Sequence, residues 1–234
     1  MPDDIALVTG ATKGVGRQIA LRLAADGLFV LATGRNTDDM GRLQKEIKNE
    51  GGKCLTVPAE LIDEAEVTRL VNQVEKLDGK LTILVHSAGI AKVGTVKDMD
   101  LHLWEQTLAI NLTSPFLLTR KCLPLMGKGA HIFFINSVSG HETFPEWSAY
   151  SASKWGLRAL ADTLRKEVNG EGIKVTTIYP ASVDTPMQEN LPYDWDRTKM
   201  LKADDIARAV LNCYRQPADV QIKELVIENI AGTF

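Results

Sequence analysis

Apolar positions along the chain alternate between two kinds of stretch. Short, nearly continuous apolar runs, of which Leu81-Thr82-Ile83-Leu84-Val85 is typical, predict strands over 5–9, 28–33, 53–57, 81–85, 130–136, 173–179 and 222–228. Longer stretches with apolar residues at helical spacing predict helices over 14–26, 38–50, 63–77, 103–126, 147–169 and 203–215. Strands apolar on both sides are covered on both faces. The strict alternation of strand and helix therefore predicts an α/β fold. It has a mostly parallel seven-stranded sheet with helices on both faces, in one domain over 1–234. No repeat, low-complexity tract or linker interrupts the pattern. One stretch, 181–202, fits neither period and carries Pro186, Pro192, Tyr193 and Trp195. A connection of that length inside a compact domain is expected to be functional, and its aromatics favour a substrate lid.

Composition changes this picture little. A chain of 234 residues, 44% hydrophobic and 24% charged, is ample for one sizeable core. A formal charge of −3 gives no reason to expect nucleic acid or an anionic membrane as partner. Cys54, Cys122 and Cys213 are odd in number and lack metal-ligand spacing, so buried reduced thiols are expected and no metal. Met1-Pro2-Asp3-Asp4 lacks the basic region of a signal peptide, and no apolar run approaches the roughly 18 residues of a membrane span. The expected location is the cytoplasm.

The chemistry begins where the first strand ends, at Thr9-Gly10-Ala11-Thr12-Lys13-Gly14-Val15-Gly16. Gly10 permits a sharp turn, while Gly14 and Gly16 let backbone and ligand approach closely. The helix that follows offers free N–H groups and a positive dipole end to a pyrophosphate. Gly10, Thr12, Lys13, Gly14, Val15 and Gly16 are the expected cofactor-facing set. The second strand ends at Thr33-Gly34-Arg35-Asn36, where dinucleotide folds contact the adenosine ribose. An acid there suits a 2′-hydroxyl and an arginine a 2′-phosphate, so Arg35, with Lys13 as second cation, predicts NADP(H) in preference to NAD(H).

Tyr150-Ser151-Ala152-Ser153-Lys154 lies on a predicted helix, with Tyr150 and Lys154 one turn apart on one face. A phenol titrates near 10 and is a sluggish base at neutral pH; a neighbouring ammonium, helped by the nicotinium charge, is expected to favour the phenolate and lower that value. Tyr150 then serves as proton donor to a carbonyl or acceptor from an alcohol. Ser137 follows directly on a predicted strand, at the carboxyl edge where open α/β sheets bind ligands, and its hydroxyl is placed to hold a substrate oxygen.

Taken together, the glycines at 10, 14 and 16, Ser137 thirteen residues before Tyr150, the Tyr-x-x-x-Lys pair and Asn111 within Ala109-Ile110-Asn111-Leu112 resemble the short-chain dehydrogenase/reductase family, in its short single-domain group. The resemblance covers essentially the whole chain. It implies a doubly wound Rossmann fold and hydride transfer between NADP(H) and a carbonyl/secondary alcohol pair. It assigns acid/base work to Tyr150, and ribose binding and tuning of Tyr150 to Lys154. It assigns substrate orientation to Ser137 and a relay water to Asn111. Pro180, Val183 and Thr185 match the segment that cradles the nicotinamide amide, and Glu60 and Leu61 fall beside adenine. His86-Ser87-Ala88-Gly89 replaces the family's Asn-Asn-Ala-Gly. Ala88 and Gly89 still permit close approach, Ser87 and His86 have amide hydrogen bonds to replace, and His86 is expected to be structural, satisfied by backbone partners. Pro180-Ala181 replaces the usual Pro-Gly, and Glu224–Asn229 lacks the Gly-Gly that often follows the last strand. In these features the chain looks more like the branch acting on small hydroxy acids or diverse ketones than like ketoacyl reductases.

The resemblance also implies a homo-oligomer, a dimer or tetramer, through the helices at 103–126 and 147–169. Trp104, Phe116, Trp147 and Trp155 are candidates for that contact or for ordinary core. Rival readings are a catalytically silent dinucleotide-binding regulator, a 3-oxoacyl-thioester reductase, and an epimerase or dehydratase of the extended sugar-nucleotide branch. The last of these usually spaces its glycines Gly-x-x-Gly-x-x-Gly and adds a larger C-terminal region, and this chain has neither.

Overall fold

A computed structural model describes residues 3–231. Met1, Pro2 and 232–234, the ends of the expected domain, lie outside the described residues. The order of elements is β1 (Asp3–Thr9), α1 (Gly14–Ala25), β2 (Phe29–Gly34), α2 (Thr37–Asn49), β3 (Lys53–Pro58), α3 (Glu64–Glu75), β4 (Gly79–His86), α4 (Leu101–Leu108), α5 (Ser114–Cys122), β5 (His131–Ile135), α6 (Ser148–Val168), β6 (Lys174–Pro180), β7 (Val183–Asp184), β8 (Leu201–Lys202), α7 (Ala203–Tyr214) and β9 (Glu224–Ile227). Seven strands form one sheet in the order β3-β2-β1-β4-β5-β6-β9. Every pairing in it is parallel. The chain winds outward from β1 to β3, returns to β4 on β1's other side, and winds outward again. The carboxyl ends of β1 and β4 therefore flank the switch point where such sheets hold ligands.

Alternate side chains of each strand feed two cores. In β1, Ala6 and Val8 pack with Ile19 and Leu23 of α1, Leu43 and Ile47 of α2 and Val210 of α7. Ile5 and Leu7 face the other way, against Leu70 of α3, Leu118 of α5 and Leu157 and Leu164 of α6. Each such fully buried aliphatic side chain contributes about 1.5–3 kcal/mol, which is why the apolar runs were so continuous. Cys54, Cys122 and Cys213 are buried and unbonded to one another. Among the described residues no helix is long and apolar enough to cross a membrane.

Two predicted elements differ. The single helix expected over 103–126 is two, α4 and α5, joined by a π-turn over Ala109–Thr113 in which the Ser114 N–H reaches back to the Ala109 carbonyl. Pro115 is the cause: it has no N–H to give the Asn111 carbonyl four residues back, so the helix cannot pass 111 in regular register. The second difference is at 181–202, where β7 and β8 pair with each other and short 3-10 turns sit at Gln188–Asn190 and Arg197–Lys199. Hydrophobic period alone does not report two-residue strands. The last strand is also shorter than expected, four residues paired to β6 at the sheet edge.

Candidate active site

A cavity of about 690 Å³ opens over the carboxyl ends of the strands. At one end the turn after β1 is set by its glycines. Gly10 has φ +63°, and a Cβ there would lie 2.8 Å from the Ala88 main chain; a Cβ on Gly16 would lie 2.5 Å from the Gly10 carbonyl oxygen. Gly10 makes the sharp turn expected of it, and Gly16 is demanded by the protein's own backbone rather than by ligand approach. Gly14, at φ +54°, leaves room instead for Thr185 across the cavity mouth. The turn is tied to β2 by the Ala11 N–H, which donates to the Thr33 carbonyl at 3.1 Å.

Helix α1 starts at this turn with neither a side-chain cap nor an acid in its first turn. By contrast Asn36, Asp63 and Asp100 cap α2, α3 and α4. Its first N–H groups and dipole are thus left to the cavity. The two expected cations are there but already face acids. Arg35 is largely exposed, 3.8 Å from Glu60 Oε2, and Lys13 is 3.6 Å from Asp39 Oδ2. Sequence distance hid Asp39, a first-turn residue of α2.

Ser87 and Ala88 are held by a residue the sequence did not single out. Thr9 Oγ1 accepts their N–H groups at 3.0 and 3.1 Å and donates to the Val85 carbonyl, stitching β1 to β4. His86 points away from the cavity, is buried, stacks on Phe134 and shares a hydrogen bond with Thr119 Oγ1 at 2.8 Å. It is structural, but its partner is a side-chain hydroxyl on α5 and not backbone. Burial pushes its imidazole down to about 3, so it is neutral.

Ser137, Tyr150 and Lys154 line the other end of the same cavity. A hydrogen bond joins Ser137 to Tyr150, and Lys154 Nζ sits 5.5 Å from the Tyr150 ring centre. The ammonium donates to the Ile135 carbonyl at 3.0 Å. Lys154, expected to favour the Tyr150 phenolate together with the nicotinium charge, is not what dominates in the protein by itself. Burial pushes Tyr150 up to about 12, with the Ser137 bond offsetting part of that, and pushes Lys154 down to about 8. Both are buried, and desolvation penalises the charge on each.

Of the residues expected to be catalytic or cofactor-binding, every one but Asn111 lines this cavity. Asn111 is buried behind it. Its side chain accepts the Ile90 N–H at 2.9 Å and donates to the Ile90 carbonyl and to Ser153 Oγ at 2.9 and 3.0 Å. Both amide N–H groups of Asn111 are thus used within the protein. Ser153 in turn donates to the Tyr150 carbonyl at 2.6 Å. Asn136 was also missed: it accepts the Ser137 N–H at 2.9 Å and donates to the Lys154 carbonyl at 3.1 Å, so one amide sets both neighbours. A terminal strand asparagine beside a candidate serine was the only signal it offered.

Comparison with known proteins decides the family. The family model described as short chain dehydrogenase matches residues 4–195. The chain belongs to the short-chain dehydrogenase family. It is 33% identical to an uncharacterized oxidoreductase of Staphylococcus saprophyticus, over 98% of this chain and 99% of that one. It is 32% identical to the sepiapterin reductase of Chlorobaculum tepidum, over 97% of each. Among solved structures, a short chain dehydrogenase from Burkholderia cenocepacia in complex with NADP superposes with a TM-score of 0.89 at 28% identity, covering 97% of this chain and 96% of that one. This short-chain dehydrogenase thus has the parallel Rossmann-type architecture and the oxidoreductase family membership that its motifs implied. Within its site, Thr9 holds the strand end that carries Ser87 and Ala88, and Trp147, expected at a subunit contact or in the core, stands against Tyr150 at a ring-centre distance of 5.3 Å.

Proposed function

We propose that this protein is an NADP(H)-dependent carbonyl reductase or secondary-alcohol dehydrogenase with Tyr150 as its proton carrier. The observation that carries this reading is one cavity with an uncapped helix N-terminus and Arg35 at one end and Ser137, Tyr150 and Lys154 at the other. The residues present fit a dinucleotide. The glycine turn brings the free N–H groups of α1 to the cavity, where a pyrophosphate is held without a cation. Arg35 and Lys13 supply charge for a 2′-phosphate, and neither is buried, so each can leave its acid for the ligand. The NADP bound by the Burkholderia relative supports the same choice. Glu60 and Leu61 suit the adenine side; Gly89, Pro180, Val183 and Thr185 suit the nicotinamide side.

When bound, the nicotinamide supplies the hydride for reduction and takes it back in oxidation. In reduction, Ser137 holds the carbonyl oxygen and Tyr150 gives it the phenol proton, leaving an alcohol. In oxidation, the Tyr150 phenolate takes the proton from the alcohol. Lys154 steadies that phenolate, and its buried ammonium gains a reason to stay charged only when the phenol is ionised. Asn111 is assigned the relay water through its main chain, because Pro115 has no N–H to give its carbonyl. Asn136 and Ser153 are positioning residues. We assign the protein to the cytoplasm and to homo-oligomers built on the α4–α5 and α6 surfaces, where Phe116 and Trp155 are exposed.

A panel of ketones and alcohols, followed by NADPH and NADH absorbance in parallel, tests the reading. Tyr150→Phe is expected to cut kcat by roughly 100- to 10,000-fold while leaving NADPH affinity nearly intact. Normal turnover in that variant would end the proton-carrier role.

A further inference from the structure

Besides the two cores that flank the sheet, the protein has a third apolar cluster, and no strand of the main sheet contributes to it. Ala91, Tyr150 and Leu191 form it, with Trp147, Met187, Tyr193 and Trp195 packed against them. Burying these residues does nothing to hold helices to strands, so the fold does not explain them. Trp147, Met187, Leu191 and Trp195 open onto the cavity beside Tyr150.

The rings are ordered. Trp147 meets Tyr150 edge-on, with ring centres 5.3 Å apart and planes at 71°. Trp147 and Trp195 are near parallel, at 15°, with centres 6.2 Å apart. Tyr193 stacks on Trp195 at 4.8 Å, and its hydroxyl donates to Glu146 Oε2 at 2.8 Å. Glu146 has φ +69°, the only positive value at a non-glycine residue among those described. Its carbonyl accepts the Gly94 N–H at 2.8 Å. A long side chain in the left-handed region is strained, and such strain persists where surrounding contacts over-determine it. Here it directly precedes Trp147 and anchors Tyr193, so it sets both halves of the aromatic wall. The base of the loop carrying Trp195 is clasped by the β7–β8 pair and by Arg197, whose Nε donates to Asp184 at 2.7 Å.

We propose that this wall selects substrates whose reacting carbonyl is borne on a flat aromatic ring, that is, aryl ketones and the matching benzylic alcohols. The indoles of Trp147 and Trp195 offer ring faces and edges to a planar group, an interaction a saturated ring of the same size does not return. The carbonyl next to that ring then reaches Tyr150, on which Trp147 already packs. This rests on the carbonyl-reductase reading and narrows it to a substrate class.

The test compares acetophenone with cyclohexyl methyl ketone, equal in carbon skeleton, using the full-length protein and NADPH. The ratio of their kcat/KM values is taken in wild type and in Trp195→Leu, so that the intrinsic reactivity of each ketone cancels between proteins. The ratio is expected to fall about tenfold in Trp195→Leu and to be largely kept in Trp195→Phe. Trp147→Leu is the second arm should Trp195→Leu not fold. A folded leucine variant with an unchanged ratio overturns the aromatic preference while the carbonyl reading stands. A wild-type protein that reduces neither ketone nor any other carbonyl of the wider panel overturns the carbonyl reading itself.

Discussion

The two ends of the cavity are built by different physics. At the cofactor end the walls are main chain: the Gly10 turn lies against Ala88 so closely that a methyl group does not fit, and Thr9 stitches strand end to strand end. At the substrate end the walls are side chains on loops, the Trp147, Tyr193 and Trp195 rings held by a hydrogen bond to Glu146 and by exposed ion pairs of Arg197. The first end has almost no freedom to vary, because each change meets backbone that belongs to the sheet. The second is free to vary, because changing it leaves both sheet-flanking cores intact. A family with one hydride chemistry and many substrates is expected from that division.

The largest expected effect concerns the backbone-built end. Gly10→Ala forces a Cβ within 2.8 Å of the Ala88 main chain at a positive φ. It is expected to cost about 3 kcal/mol, a drop of roughly 6–12 °C in melting temperature for a domain of this size, and to weaken NADPH binding. Arg197→Ala at the other end removes only exposed ion pairs, and its melting temperature is expected to stay nearly that of wild type. Equal losses in the two variants, measured by thermal melts, would erase the distinction. Next comes pH dependence where the two ends meet. With its phenol pushed up to about 12, Tyr150 is protonated throughout the neutral range. Reduction, which needs the acid, is expected to be flat between about pH 6 and 8, while alcohol oxidation, which needs the phenolate, rises up to about tenfold per pH unit. Rate profiles in both directions check this; an oxidation rate that falls as pH rises would contradict the protonation state. The smallest effect belongs to Arg35→Ala. Removing one charge-assisted contact is expected to weaken NADPH about tenfold and leave NADH almost unchanged, as read by titration of both cofactors. Equal weakening of the two would transfer the 2′-phosphate contact elsewhere.

Much of the fold was legible in the residues. Strands buried on both faces advertise themselves as continuous apolar runs, and each central strand was located to within a residue or two. Elements set by exceptions were not legible that way. Pro115 lies inside the helix predicted over 103–126, and the break there follows from its missing N–H rather than from any change in apolar spacing, while β7 and β8 are too short to show a period. In the site, residue types that carry chemistry stood out, whereas Thr9, Asn136 and Ser153, which hold them in place, look like any buried polar residue. Their significance lies in partners far along the chain, such as Val85 for Thr9 and Lys154 for Asn136.

The sequence by itself determined the parallel α/β fold, the family, and the collection of side chains around the strand ends, because periodicity, glycine turns and i,i+4 spacing are local properties. The tertiary structure alone decided how those groups behave. It buried Tyr150 and Lys154 side by side, where desolvation pushes the phenol up and the ammonium down. It turned His86 away toward Thr119, placed Asp39 beside Lys13, and brought the distant Tyr193 and Trp195 to Trp147 and Tyr150. Burial and long-range contact produce all of these, and neither is encoded in the neighbours of a residue along the chain.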